Sequence, residues 1–258
     1  MNRRVSAANN ALATLAGDPV TAAALSAARE EIDALLWRRD VRAAAAEVAS
    51  ASVQRGARDS AAIDGADVAV VDDSPMGRVL DAAVRITAAV PTQVDVFAQA
   101  PLQALAHLHT LVAVDFAPAE ELGRPRHGEA ADDPLRLGPL VPASALGPRL
   151  VGLADMLTSS ADAPALLIAG LVHAELALLR PFTWGSGLVA RASVRLVMAA
   201  RGLDPSLFSI PELGVLELGR PAYVGALRSY AAGTPDGVRD FLVWHCTAVG
   251  LGAQAVTV

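Results

Sequence analysis

Residues 165–179, Ala-Leu-Leu-Ile-Ala-Gly-Leu-Val-His-Ala-Glu-Leu-Ala-Leu-Leu, carry only His173 and Glu175 among otherwise apolar side chains. Leu166, Ile168, Leu171, Val172 and Leu176 span too wide an arc for a helix with one wet face, so this helix belongs at the centre of a bundle. It is also short of the roughly 20 apolar residues that cross a bilayer. Pro181 disfavours helical geometry at Arg180, so the helix stops there. The adjoining stretch, Arg180-Pro-Phe-Thr-Trp-Gly-Ser-Gly-Leu-Val-Ala-Arg191, reads as a tight glycine loop and then a second helix. Gly185 and Gly187 permit backbone angles that a side chain would forbid. The unpaired N–H groups that open the second helix favour an anion, and Arg191, one turn in, can add a bidentate phosphate contact. Gly185, Ser186, Gly187 and Arg191 are therefore the candidate anion- or nucleotide-binding residues.

The remainder fits an all-α protein. Hydrophobic residues make up 53% of the chain but aromatics only 4%, so the core is built from Ala, Leu and Val, a composition suited to closely packed helices. A long helical stretch is expected from Pro19 to about Arg55, then a polar, acidic segment over Gly56–Pro75. Two helices are expected between Met76 and about Val114, interrupted at Pro91 and Pro101. The Pro/Gly-rich segment Pro118–Pro148 reads as a short hairpin or irregular flap. Helices are expected at Ser144–Ser159, Pro164–Leu179, Leu188–Arg201, Pro221–Ala232 and Asp236–Val256. No alternating run demands a strand. This divides the chain into an N-terminal helical extension, residues 1–75, and a core domain, residues 76–258.

Charge and cysteine content narrow the function. A net charge of −6 argues against general nucleic-acid binding, which needs a basic face. The N-terminal Met-Asn-Arg-Arg-Val-Ser lacks the apolar run of a signal peptide and suits an amphipathic surface helix. The lone Cys246 rules out an internal disulfide and agrees with a reducing cytosol, so a cytoplasmic protein without a membrane span is expected. A protein partner and the oligomeric state stay open.

Other motifs are weaker. His173 reads as a hydrogen-bonded core residue, with Glu175 pointing elsewhere. His107 and His109, two apart, lie on different helix faces, while His127 and His245 are isolated, so no zinc spacing arises. The acidic stretch Asp64–Asp73 is a solvated segment before it is a cation site. Gly185-Ser-Gly187-Leu-Val-Ala190 satisfies the Gly-x-Gly-x-x-Ala dinucleotide fingerprint, which keeps a nicotinamide-dependent oxidoreductase as an alternative. A true fingerprint comes after a strand and enters a βαβ unit.

The Arg180–Arg191 stretch resembles the signature of the Fic/Doc family, His-Pro-Phe-x-(Asp/Glu)-Gly-Asn-Gly-Arg-x-x-Arg. Pro181, Phe182, Gly185, Gly187 and Arg191 match it. Arg180 replaces the histidine, Trp184 the acidic residue, Ser186 the asparagine and Leu188 the first arginine. His173, seven residues ahead of Arg180, is similar to a histidine two turns before the motif. Pro221-Ala-Tyr223-Val-Gly-Ala226-Leu227 looks like the later Tyr-x-x-Ala-Leu helix, and Asp240-Phe241-Leu242 like the terminal helix. Ser60-Ala-Ala-Ile63-Asp64-Gly65 is similar to the family's inhibitory helix, (Ser/Thr)-x-x-x-Glu-(Gly/Asn), with Asp64 for the glutamate. The resemblance covers roughly residues 40–255 and implies a Fic-like helical bundle.

It also implies a chemistry. In the family the motif histidine takes a proton from a target hydroxyl that attacks the ATP α-phosphorus, and the acidic residue holds Mg²⁺. The inhibitory glutamate pairs with the second arginine and blocks productive ATP placement. Arg180 stays protonated and offers donors only. Trp184 offers no metal ligand, and Leu188 no charge. Loss of a general base alone costs about 10²–10⁴-fold in rate. The resemblance, with these losses, implies a Fic-fold protein without ordinary AMP transfer that binds a nucleotide, another anion or a partner. A residual or altered Fic-type transferase is a further alternative. No catalytic residue and no metal ligand is assigned, and ATP or another nucleotide is the only cofactor in view.

Overall fold

The computed structural model describes residues 2–66, 68 and 75–258. Asp67, Asp72 and Asp73 of the expected acidic segment lie outside the described residues. Among the described residues the chain forms twelve α-helices and no strand, as the apolar pattern demands. These are α1 (Asn2–Gly17), α2 (Pro19–Trp37), α3 (Arg39–Ala43), α4 (Ala45–Ile63), α5 (Pro75–Gln99), α6 (Pro101–Ala113), α7 (Ala143–Ser159), α8 (Ala165–Leu179), α9 (Ser186–Ala200), α10 (Pro211–Leu218), α11 (Arg220–Ala231) and α12 (Pro235–Gln254). None is long and apolar enough to cross a membrane alone.

The apolar helix α8 sits at the centre. Its Leu167, Ile168, Ala169, Val172, Ala174 and Leu176 are wholly excluded from solvent, and it packs on α9, α11 and α12. α9 in turn packs on α5 and α6, α2 lies along α12, and α4 bridges α5 and α10. Helix starts obey local chemistry. Asp18 accepts the Thr21 N–H at 2.9 Å ahead of Pro19, and Thr234 accepts the Gly237 N–H at 3.1 Å ahead of α12.

Several expectations need correction. The stretch from Pro19 to Arg55 is not one helix: Arg38 is extended (φ −61°, ψ 127°) and Ala44 also leaves helical geometry, giving α2, α3 and α4. α4 then runs to Ile63, well past Arg55. The segment is polar yet partly buried: Gly56, Ala57, Asp59, Ser60, Ala61 and Ile63 face the core, with Asp59 paired to Arg55 and Ser60 to Arg191. Pro91 lies inside α5 without ending it. Its missing N–H is tolerated because α5 is packed against α4, α6 and α9. α10 is an element the apolar pattern does not announce. It packs on α12 and α4, and Glu212 on it pairs with Arg195 of α9, with Nε–Oε1 at 2.8 Å and both side chains 2% exposed. Arg195 also donates to the Ser52 hydroxyl at 2.9 Å, which ties α4 into the same lock.

The flap between α6 and α7 is irregular, with a single 3-10 turn at Ala119–Glu121, and no hairpin forms. Prolines at 118, 125, 134 and 139 withhold the N–H groups a hairpin ladder needs. The flap's backbone pairs instead with the loop between α8 and α9, Arg126 N–H donating to the Pro181 carbonyl at 2.7 Å and Asp132 N–H to the Thr183 carbonyl at 2.9 Å.

Candidate functional site

The loop between α8 and α9 is rigidly built. Arg180 caps α8 in the left-handed region (φ 42°, ψ 65°), a conformation that costs a non-glycine residue about 1 kcal/mol. Ser186, wholly buried, turns its hydroxyl inward, accepting from the Phe182 N–H at 3.1 Å and donating to the Phe182 carbonyl at 3.2 Å. Gly185 is needed twice over: φ is +77°, and a Cβ would lie 2.9 Å from Val112 Cγ1. Phe182 stacks on His109 with ring centroids 3.9 Å apart. His109 Nδ1 accepts the Gly123 N–H at 2.9 Å, so one ring joins α6, the flap and the loop. Burial holds that imidazole down to about 4 and hence neutral.

Arg180 faces the flap. Its guanidinium pairs with Asp133 at 2.9 Å and donates to the Gly138 and Pro139 carbonyls at 2.6 and 3.0 Å. The Arg180 carbonyl accepts from Arg126 Nε at 2.9 Å, and Arg126, itself buried, also donates to the Gly128 and Val141 carbonyls. α11 holds the flap's far end through Arg220 to the Pro134 carbonyl and Arg228 to the Arg136 carbonyl. The group at the head of the motif is thus a structural cation that straps the flap to the core.

Arg191 lies beneath Gly187. Its side chain is 1% exposed and pairs with Asp64 at 2.7 Å, donating as well to the Ser60 hydroxyl at 2.7 Å and the Ser60 carbonyl at 3.1 Å. The structure therefore brings Ser60, Asp64, Gly187 and Arg191 together, while Gly65 closes the end of α4 at φ +96°. A methyl on Gly187 would stand 3.3 Å from Arg191 Nη1 and 3.5 Å from both Asp64 oxygens. Asp64 Oδ1 is buried without a hydrogen-bond partner, and the Arg191 guanidinium also interacts with the Tyr223 hydroxyl. Farther in, the Tyr223 hydroxyl lies 2.7 Å from His173 Nε2, and His173 Nδ1 lies 3.5 Å from His245 Nδ1. Burial pushes the Tyr223 phenol up to about 12 and His173 well below 6.5, so Tyr223 donates to a neutral His173. This is the core role the sequence suggests for His173. Glu175 points away, to Arg149 at 2.6 Å and Tyr230 at 2.9 Å.

The substituted positions have gone to packing. Leu188 is 1% exposed. Trp184 stacks on Phe116 with centroids 3.6 Å apart, and the Arg78 guanidinium lies 5.7 Å from the centre of the Phe116 ring.

One site residue escapes the sequence reading: Asp132 of the flap. Its carboxyl is pushed up to about 7, by burial first and the nearby Asp64 carboxylate second, against the Gly185 amide and the Arg180 cation. Asp132 Oδ1 is buried without a partner. Nothing in a Pro/Gly-rich segment signals that this aspartate lies against the glycine loop. The dinucleotide fingerprint, by contrast, loses its context: Gly185–Ala190 comes after helix α8, not a strand. The oxidoreductase alternative falls with it.

No protein-family model and no curated protein matches the chain. Solved structures do. A Fic family protein from Desulfovibrio desulfuricans G20 superposes with a TM-score of 0.72 at 18% identity, covering 92% of this chain and 73% of that one. A fragment of Fic-1 from C. elegans gives a TM-score of 0.72 at 18% identity, covering 98% and 82%. A glutamate-to-glycine variant of that fragment gives 0.66 at 18% identity, covering 97% and 82%. The chain has the all-α fold of these Fic proteins.

Proposed function

We propose that this Fic-fold chain binds a phosphate-bearing anion or nucleotide at the loop ahead of α9 and does not carry out ordinary AMP transfer. The observation that carries the reading is the placement of Arg180. At the position where the resembling motif has its base stands a cation whose Nη1 and Nη2 are held by Asp133 and by the Gly138 and Pro139 carbonyls, while its Nε is buried without a partner. It cannot accept a proton. What supports binding is that the frame of a phosphate site persists. α9 opens behind Gly185 with its first amides unpaired within the helix, and the Arg191 guanidinium lies under Gly187.

Asp64 holds Arg191 at 2.7 Å, so a ligand phosphate that reaches Arg191 has to displace that carboxylate. A resting state of this kind lowers apparent affinity by the fraction of molecules in which Asp64 has swung away. The test pairs two measurements. Incubation with Mg²⁺ and ATP labelled on the α-phosphate, with and without cell extract, is expected to leave protein unlabelled. Calorimetry with ATP, ADP and pyrophosphate is expected to give binding that Arg191→Ala abolishes. Robust labelling that depends on Arg191 sinks the first half of the reading, and no ligand binding below millimolar sinks the second.

A further inference from the structure

Behind Arg191 the buried polar groups fix one another's protons. The Tyr223 hydroxyl is wholly buried, and its polar neighbours among the described residues are His173 Nε2, at 2.7 Å, and the Arg191 guanidinium, which can only donate. The phenol proton therefore goes to Nε2, and His173, neutral through burial, carries its own proton on Nδ1. That proton lies on the 3.5 Å contact with His245 Nδ1. Two facing N–H groups would repel, so His245 Nδ1 is the acceptor. His245 is neutral as well and so carries its proton on Nε2. That nitrogen is buried without a partner, and a buried donor left without an acceptor is costly.

The His245 ring lines a small cavity between α8, α9, α10 and α12, and every residue around it is buried. About 10 Å³ is open to the centre of a water molecule, which is room for one. The cavity wall also holds an acceptor, the Glu212 carboxylate of α10. Glu212 Oε1 accepts Arg195 Nε at 2.8 Å, and a carboxylate oxygen has a second lone pair to offer.

We propose that this cavity is a binding site for one resident water, which accepts from His245 Nε2–H and donates to Glu212 Oε1. Two such partners meet the need of a buried water. The water closes a chain that runs from Arg191 through Tyr223, His173 and His245 to Glu212 and Arg195, and so joins the two buried ion pairs of α9. Asp64 and Ser60 hold the Arg191 guanidinium from one side, and this chain holds it from the other. It does so whether or not the loop ahead of α9 takes an anion.

Two measurements on the full wild-type chain test the proposal. Long-range proton–nitrogen NMR of the imidazoles at pH 7 is expected to show His173 protonated on Nδ1 alone and His245 on Nε2 alone. The opposite tautomer, or a doubly protonated ring, at either residue overturns the chain. A crystal structure at atomic resolution is expected to show one water at about 2.7–3.2 Å from both His245 Nε2 and Glu212 Oε1. An empty cavity, or a water that touches only one of them, overturns the site. His245→Phe keeps a ring but removes the donor, and its crystals are expected to lose the water. A water that stays in place in that variant overturns the role given to His245.

Discussion

Arg180 offers the sharpest test of how the motif loop is used, because two substitutions there separate two opposing effects. Arg180→Ala removes a 6%-exposed guanidinium, and with it the Asp133 ion pair and two bonds to the Gly138 and Pro139 carbonyls. Hydrogen bonds to charged groups contribute about 1.5–3 kcal/mol each. Both carbonyl-bearing residues are exposed, and Asp133 still accepts the Leu137 and Gly138 N–H groups, so water and backbone recover part of the loss. The expected destabilisation is about 3 kcal/mol. Arg180→Gly loses the same contacts but removes the Cβ penalty of the left-handed geometry at φ 42°. It should therefore be about 1 kcal/mol more stable than Arg180→Ala. Urea unfolding reads both: with a slope of about 3 kcal/mol/M, the alanine variant's midpoint drops by about 1 M and the glycine variant's by less. Amide exchange adds a local readout, since the Arg126 and Asp132 N–H groups bonded to the loop should lose protection when the strap is cut. An alanine variant within about 0.5 kcal/mol of the wild type, or a glycine variant no better than alanine, refutes the strap.

The packing sets three further outcomes. Glu212→Ala leaves Arg195 buried and unpaired at 2% exposure, and should cost about 3–5 kcal/mol by chemical denaturation. A methyl on Gly214 overlaps the Ala248 carbonyl where α10 meets α12, so Gly214→Ala should cost about 3 kcal/mol or more, while Gly225→Ala, with open space around it, should be near neutral or mildly stabilising. Burial holds His109 and His245 down to about 4 and His173 well below 6.5, so each is neutral when folded and gains a proton on unfolding below about 6.5. Their stabilisation is complete above that value and fades as pH falls toward 4. Asp132, raised to about 7 from 3.8, opposes one of these protons, since it is protonated in the fold across the same window. Asp59, also raised by burial, opposes them further, but the three histidines still outnumber these carboxyls, so stability should fall as pH drops through 5. Urea midpoints unchanged between pH 7 and pH 5 would contradict this.

The fold was legible where periodicity was strong and unbroken. The apolar run 165–179 dictates a central helix, and α8 is that helix. Proline was the misleading signal, since Pro91 sits within α5 where packing outweighs the lost backbone bond, whereas Pro101 does open α6. α10 was invisible because eight residues, placed by packing on α12 and α4 and by the buried Glu212–Arg195 pair, are too few to show a period of their own. At the site, the residues spaced along one helix or one loop were readable, so Asp64, Ser60 and Arg191 meet as the inhibitory-helix resemblance implies. Contacts made by the flap were not. Arg126, Asp132 and Asp133 reach the loop through an irregular segment whose path no local preference fixes. The Arg180 side chain carries the same lesson: its chemistry excludes a base, but only the structure shows that it became a strap.

The most direct test of whether the motif loop keeps its frame without its chemistry is AMP transfer itself. Purified protein, Mg²⁺, ATP labelled on the α-phosphate and cell extract are incubated together, with Arg180→Ala and Arg191→Ala run beside the wild type. The expected result is label no higher with the wild type than with either variant. Transfer to protein that the wild type supports and Arg191→Ala abolishes would contradict the reading of this loop.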